Sequence, residues 1–182
     1  MQFFRIKTKE NGFTLVETLV AIAILLVIIV GPMSIAQKGI QNAFFAREQL
    51  TAVFLAQEAI EGVRELRDNN AIDAYDNSLP FIDDTEGWID DIASCLGKEC
   101  AYEDSTLTLC INKNDCVLKY DAGEYTHNGT SDNSIYTRKI TAGVRNGGGV
   151  PVTVKVTWAG KVRQGEIVLQ SWIYDHYQRY ED

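Results

Sequence analysis

Few residues in this chain have the type and spacing to do chemistry. Its 182 residues include two histidines, His127 and His176, far apart and in no common helical or hairpin register. That leaves little for general acid–base work or a histidine-bound metal. Four cysteines, Cys95, Cys100, Cys110 and Cys116, are spaced C-x4-C-x9-C-x5-C, without the C-x2-C knuckles usual for zinc. Asp83, Asp84, Glu86, Asp90 and Asp91 cluster, yet the alternating oxygen ligands and glycine of a calcium loop are missing, so a solvated acidic face is expected. Asn128-Gly129-Thr130 matches a glycosylation sequon but reads first as a turn. Phosphate loop, nucleophile elbow and metal-helix motif are all absent from the sequence. No catalytic residue, metal or cofactor is expected, and the chain reads as a non-enzyme. The residue that stands out is Glu17, an acid inside an apolar run.

That run is Phe13 to Val30, 18 residues in which only Thr14, Glu17 and Thr18 are polar. As a helix it would rise about 27 Å, near the thickness of a hydrocarbon core. Arg5, Lys7 and Lys9 against Glu10 give the preceding segment a charge of +2, and the rest of the chain carries −10. Basic flank first and apolar run second predict a cytoplasmic N-terminus, with everything after the run outside. Outside the cytoplasm the four thiols are expected to form two disulfides. Three pairings are open; local closure, Cys95–Cys100 with Cys110–Cys116, is the expectation. A net charge of −8 and a pI near 4.8 argue against direct nucleic-acid binding, which needs a basic face.

Two readings of the N-terminus compete. An ordinary secretory signal would have its apolar region at Leu19 to Val30 and a small-x-small site at Ser34-Ile35-Ala36; the protein would then be a secreted or membrane-tethered extracellular binding domain. Against this, a carboxylate within the bilayer costs about 2.5–3.5 kcal/mol on insertion scales, and a disposable signal has no use for one. Gly12-Phe13-Thr14-Leu15-Val16-Glu17 and the aliphatic run after it resemble the N-terminus of type IV prepilins and type II secretion pseudopilins. The resemblance implies cleavage by a prepilin peptidase between Gly12 and Phe13, N-methylation of Phe13, and a filament-assembly role for Glu17. A buried carboxylate and a neighbouring subunit's terminal ammonium can neutralise each other where each alone would be costly. It further implies other pilin or pseudopilin subunits and an inner-membrane assembly platform as partners, with membrane lipid around the helix before assembly.

The expected fold class is α+β: a long N-terminal helix whose second half packs on an antiparallel sheet, as in that family. Residues 1–12 form a basic leader, 13–31 a transmembrane and filament-core helix, 32–69 its amphipathic continuation, and 70–182 an extracytoplasmic disulfide-bearing domain. Pro32 is expected to kink or loosen the helix. Phe45, Ala52, Ala56, Ala59, Ile60, Val63 and Leu66 fall on one side, with Glu58, Glu61, Arg64 and Glu65 on the other. Asn69-Asn70 is the expected stop. Leu50, Phe54 and Phe44 lie away from the apolar face and are candidates for contact with neighbouring subunits. Residues 71–104 read as a long irregular loop or small subdomain rather than a regular element. Strands are expected at Thr106–Ile111, Val117–Tyr120, Ser134–Thr141, Val150–Trp158 and Glu166–Trp172, with a flexible loop at Asn146–Gly149 and a hairpin over Ala159–Gly165. The helix segment Phe54 to Arg67 looks closest to V-type minor pilins and I-type pseudopilins. Trp88, Trp158 and Trp172 are expected to pack in the core.

Overall fold

A computed structural model of the chain describes residues 12–76, 88–112, 114–146 and 148–174. The elements are α1 (Leu15–Asp76), α2 (Asp90–Ala93), β1 (Cys100–Glu103), β2 (Thr106–Leu109), β3 (Val117–Asp121), β4 (Glu124–Thr126), β5 (Asn133–Ala142), β6 (Gly149–Ala159) and β7 (Gln164–Tyr174). The chain divides into two units, residues 1–43 and 44–182, and α1 contributes to both. This is the α+β architecture expected, a long helix followed by an antiparallel sheet.

In the first unit the described side chains are all exposed, and α1 is long and apolar enough there to cross a membrane. Helix continues through Pro32. The Ser34 hydroxyl donates to the Gly31 carbonyl at 2.8 Å, a local bond that supplements the ladder where proline donates nothing.

In the second unit β6 is an interior strand, and alternation dictates its two faces. Val150, Val152, Val154, Val156 and Trp158 point inward and are buried, while Thr153, Lys155 and Thr157 point outward. Strand β6 pairs with β7 along its whole length and with β5 on its other side. The far edge of β5 is shared: β1 meets it at Ile140 and β3 at Thr137 and Asn133, and the β1–β2 and β3–β4 hairpins extend outward from there. Both hairpins turn on two residues with positive φ, Asp104-Ser105 and Ala122-Gly123, the backbone twist that short antiparallel turns require.

Helix α1 covers the inner face with a stripe of small residues, Ala52, Ala56 and Ala59, flanked by Leu55, Ile60, Val63 and Leu66. Small side chains let the helix backbone approach the valine layer closely. Gly62, a weak residue for a helix interior, has its reason here. The Tyr102 ring from β1 occupies the space where a side chain would project. Tyr102 and Ser105 then donate to the two carboxylate oxygens of Glu65 at 3.3 and 3.2 Å, tying the β1–β2 hairpin to the helix.

Two expectations about the elements are corrected. Helix α1 does not stop at Asn69-Asn70 but runs to Asp76, because Ala71 is buried and the Asn70 side chain donates to the Trp88 carbonyl at 3.4 Å. The region read as irregular over 71–104 contains that last helical turn, α2 and β1. In the segment expected to be a flexible loop, Asn146 and Gly149 exchange two backbone hydrogen bonds of 2.8 and 3.1 Å, and residue 147 lies outside the described residues. Of the tryptophans, Trp88 and Trp158 are core residues, whereas Trp172 is 44% exposed and packs against Tyr174 on the outer sheet face.

Candidate functional site

The residues singled out at the N-terminus lie where α1 begins. Gly12 and Phe13 precede the helix, and Phe13 is 80% exposed. Thr14 is the capping residue: its hydroxyl accepts from the Glu17 backbone N–H at 3.3 Å, and its carbonyl accepts the first helical bond, from Thr18. Glu17 thus sits in the first turn, exposed, where a negative charge favours the helix dipole. Thr14-x-x-Glu17 has the spacing of a capping box, a signal that sequence reasoning had available and did not use. From Leu15 to Val30 every large apolar side chain is more than half exposed within the chain itself. Such a surface needs lipid or other protein around it.

Cys95–Cys100 and Cys110–Cys116 are closed, with Cα separations of 5.9 and 5.6 Å. The first links the exit of α2 to β1 and is completely buried; the second closes the β2–β3 connection. Asp83, Asp84, Glu86 and His176 lie outside the described residues. Asn128-Gly129 forms part of a turn in which Asp121 accepts from the Thr130 N–H and hydroxyl at 3.1 and 3.2 Å, and these bonds lower the Asp121 pKa. Leu50, Phe54 and Phe44 are all exposed, at 55%, 59% and 54%.

Two buried polar groups of the second unit went unforeseen. Arg138 projects from β5 into the helix–sheet interface and is 1% exposed. It donates to the Leu55 carbonyl at 3.4 Å and the Tyr102 carbonyl at 3.0 Å, and pairs with Glu58 at 3.1 Å. Its place on an inward position of β5, between the outward Thr137 and Lys139, was the readable signal. The second group is His127, whose two ring nitrogens are buried. Burial, then the charge of Arg138, push its pKa down to about 4; Glu103 and backbone hydrogen bonding to Val117 and Asp115 oppose them. Glu103 accepts from the Thr126 hydroxyl and, at 2.7 Å, from the His127 backbone N–H.

An acid-sensitivity follows. Between pH 6.5 and about 4 the unfolded chain binds a proton at His127 that the folded chain refuses. Stability is therefore unaffected by His127 above pH 6.5 and falls as pH drops through that window. The ring is only partly shielded, so the loss at pH 4.5 is about 1–2 kcal/mol. Thermal melts of wild type and His127→Gln from pH 7.5 to 4.5 check this. The variant is expected to show the shallower slope below pH 6.5, and identical slopes would exclude the effect.

Comparison with known proteins yields one match. Residues 7–31 fit the family model of the prokaryotic N-terminal methylation motif. No curated protein and no solved structure matches the chain. From Gly12 on, the matched residues are those whose geometry is given above: the Gly12-Phe13 junction, the capped first turn with Glu17, and the exposed apolar run to Val30 and Gly31.

Proposed function

Starting from a type IV prepilin-like chain, we propose that this protein is a structural subunit, a minor pilin or pseudopilin, of a type IV pilus or type II secretion-type filament. The supporting observation is the methylation motif at residues 7–31, set on a helix whose large apolar side chains from Leu15 to Val30 are all exposed. A prepilin peptidase cuts between Gly12 and Phe13 and methylates the new amino group of Phe13. The helix then holds the subunit in the inner membrane as a single span, with the second unit outside the cytoplasm. The two disulfides suit an oxidising compartment.

Assembly exchanges lipid for protein around the apolar run. Glu17 gains a counter-charge in that exchange, the methylated terminal ammonium of a neighbouring subunit, and the pair favours one axial register. Its partners are other pilins or pseudopilins and the assembly platform, and the role is structural rather than enzymatic.

Glu17→Val tests this. Thr14 continues to cap the helix through the residue-17 backbone N–H, so membrane insertion is expected to stay intact. Incorporation into sheared filaments, read by blot, is expected to fall at least tenfold. Unchanged incorporation would remove the charge-pairing role.

A further inference from the structure

The geometry points to a binding platform for a neutral, flat saccharide chain on the outer sheet face, made by the Trp172 and Tyr174 rings with Thr153 and Gln170 beside them. The inference goes beyond the filament reading, which concerns α1, and does not depend on it.

Strand register builds the platform. Gly149 commits both its backbone groups to Asn146, so Gly149–Tyr174 is a pair without ladder bonds, and so is every second pair along β6 and β7. Side chains stand closest in such pairs, and here they all face outward: Pro151 opposite Trp172, Thr153 opposite Gln170, Lys155 opposite Val168. Two glycines keep the surface low. A Cβ on Gly149 would stand 2.6 Å from Cε1 of Tyr174, and one on Gly143 2.8 Å from Cγ of Pro151. The tyrosine and proline rings therefore lie against bare backbone. The Trp172 and Tyr174 planes are 22° apart with centroids at 6.2 Å, and each residue is still 44% exposed. Both rings are held in place and keep an open face.

A pyranose has a flat face of C–H groups and a rim of hydroxyls, and this surface offers a match for each. The aromatic faces take the C–H groups by dispersion. Thr141, Thr153 and Gln170 stand opposite one another across three strands, in a row about 7 Å along from Trp172, and present two hydroxyls and an amide to the rim. Charge selects a neutral ligand. The next row holds Lys139 and Lys155, engaged by Glu99 at 2.5 Å and Glu166 at 2.6 Å, so neither is a free cation for a phosphate or carboxylate. Beyond the rings and Pro151, Val168 is the only apolar side chain of these rows, too little for the core of a protein interface. Neighbouring rings in near-parallel planes suit a flat chain of β-linked, all-equatorial sugars better than a coiled α-linked one. The platform lies where α1 finishes: the helix passes Gly160 at Glu48 and meets the Tyr174 carbonyl at Arg67, which leaves the rings remote from residue 44, where the second unit begins.

The test uses the full-length chain in a detergent without a sugar head group, titrated with cellotetraose, chitotetraose and maltotetraose and followed by calorimetry. Saturable binding of cellotetraose or chitotetraose with a Kd of about 1 mM or tighter is expected, with maltotetraose at least fivefold weaker. Trp172→Ala is expected to weaken binding at least tenfold and Gln170→Ala about threefold. Trp172→Tyr, which keeps a ring, should stay within about threefold of wild type, and Val168→Ser should change nothing. Failure of all three saccharides to bind at about 10 mM would overturn the site. Equal losses from Trp172→Ala and Val168→Ser would also overturn it, as the mark of undifferentiated apolar contact. Equal binding of maltotetraose would overturn the flat chain as its ligand. In the native host, Thr153→benzoylphenylalanine is irradiated on intact cells, and a cross-link to a second copy or to another protein would overturn the saccharide as the occupant. None of these outcomes bears on Gly12, Phe13 or Glu17, so the filament reading stands or falls separately.

Discussion

Replacing Gly12 with valine leaves the chain at precursor length, starting at Met1, with the processed fraction reduced at least tenfold. Gly12 lies outside α1, is exposed, and a Cβ added there would meet no atom within 4 Å. The chain's own fold is therefore indifferent to the substitution, and the whole effect falls on the enzyme that must accommodate the backbone before the scissile bond. Intact and peptide-level mass of the N-terminus from the native host checks it. Wild type should begin at Phe13 with one added methyl, and the variant should not. A wild-type start at Gln37 would identify an exported soluble domain, and an uncut Met1 a plain membrane anchor; either would end the pilin reading. Normal maturation of Gly12→Val would show that the junction is not the processing site.

The other large effect is expected at Arg138. Truncation to alanine empties a fully buried volume, strands the Leu55 and Tyr102 carbonyls, and removes the partner of Glu58. Losses of this kind sum to about 3–5 kcal/mol. Glu58 is 55% exposed and can turn to water, so it contributes least of the three. Arg138→Met separates the remaining two: its chain refills the space without replacing the donors and should recover about 1–2 kcal/mol. Denaturant unfolding of the three proteins provides the comparison. A loss below about 1 kcal/mol in the alanine variant would mean that the guanidinium contributes no more than it costs to desolvate.

Regular, one-sided signals in the sequence carried through to the fold. The alternation from Val150 to Trp158 identified β6 and its buried face, and the helical spacing of Ala52, Ala56, Ala59 and Val63 identified the side of α1 that meets it. Elements that depend on distant partners were not readable. Asn69-Asn70 has the composition of a helix stop, but Ala71 buries itself and Asn70 reaches the carbonyl of Trp88, a contact across 18 residues. Strand β1 is four residues, held by β2, by one register point on β5 and by the Cys95–Cys100 bridge, and its own residues carry no periodicity. Arg138 was legible only through its register, since it falls on the same face of β5 as Tyr136, Ile140 and Ala142, and its residue type masked that position. At the candidate site, residue types at Gly12, Phe13 and Glu17 were legible because they form one contiguous motif.

The placing of the two disulfides has a mechanical consequence. Their partners are separated by only 5 and 6 residues, so neither bridge spans from the helix to the sheet or from one end of the second unit to the other. Tension applied between α1 and the last strand therefore meets no covalent tie. It is resisted by the ladder between the two 11-residue strands β6 and β7, which, pulled from Tyr174, opens from the Gly149–Tyr174 end toward the hairpin, pair after pair. Should they give way, the bridges subtract only two short rings from the length of chain released. The second unit would then yield as an extensible link instead of a rigid bead.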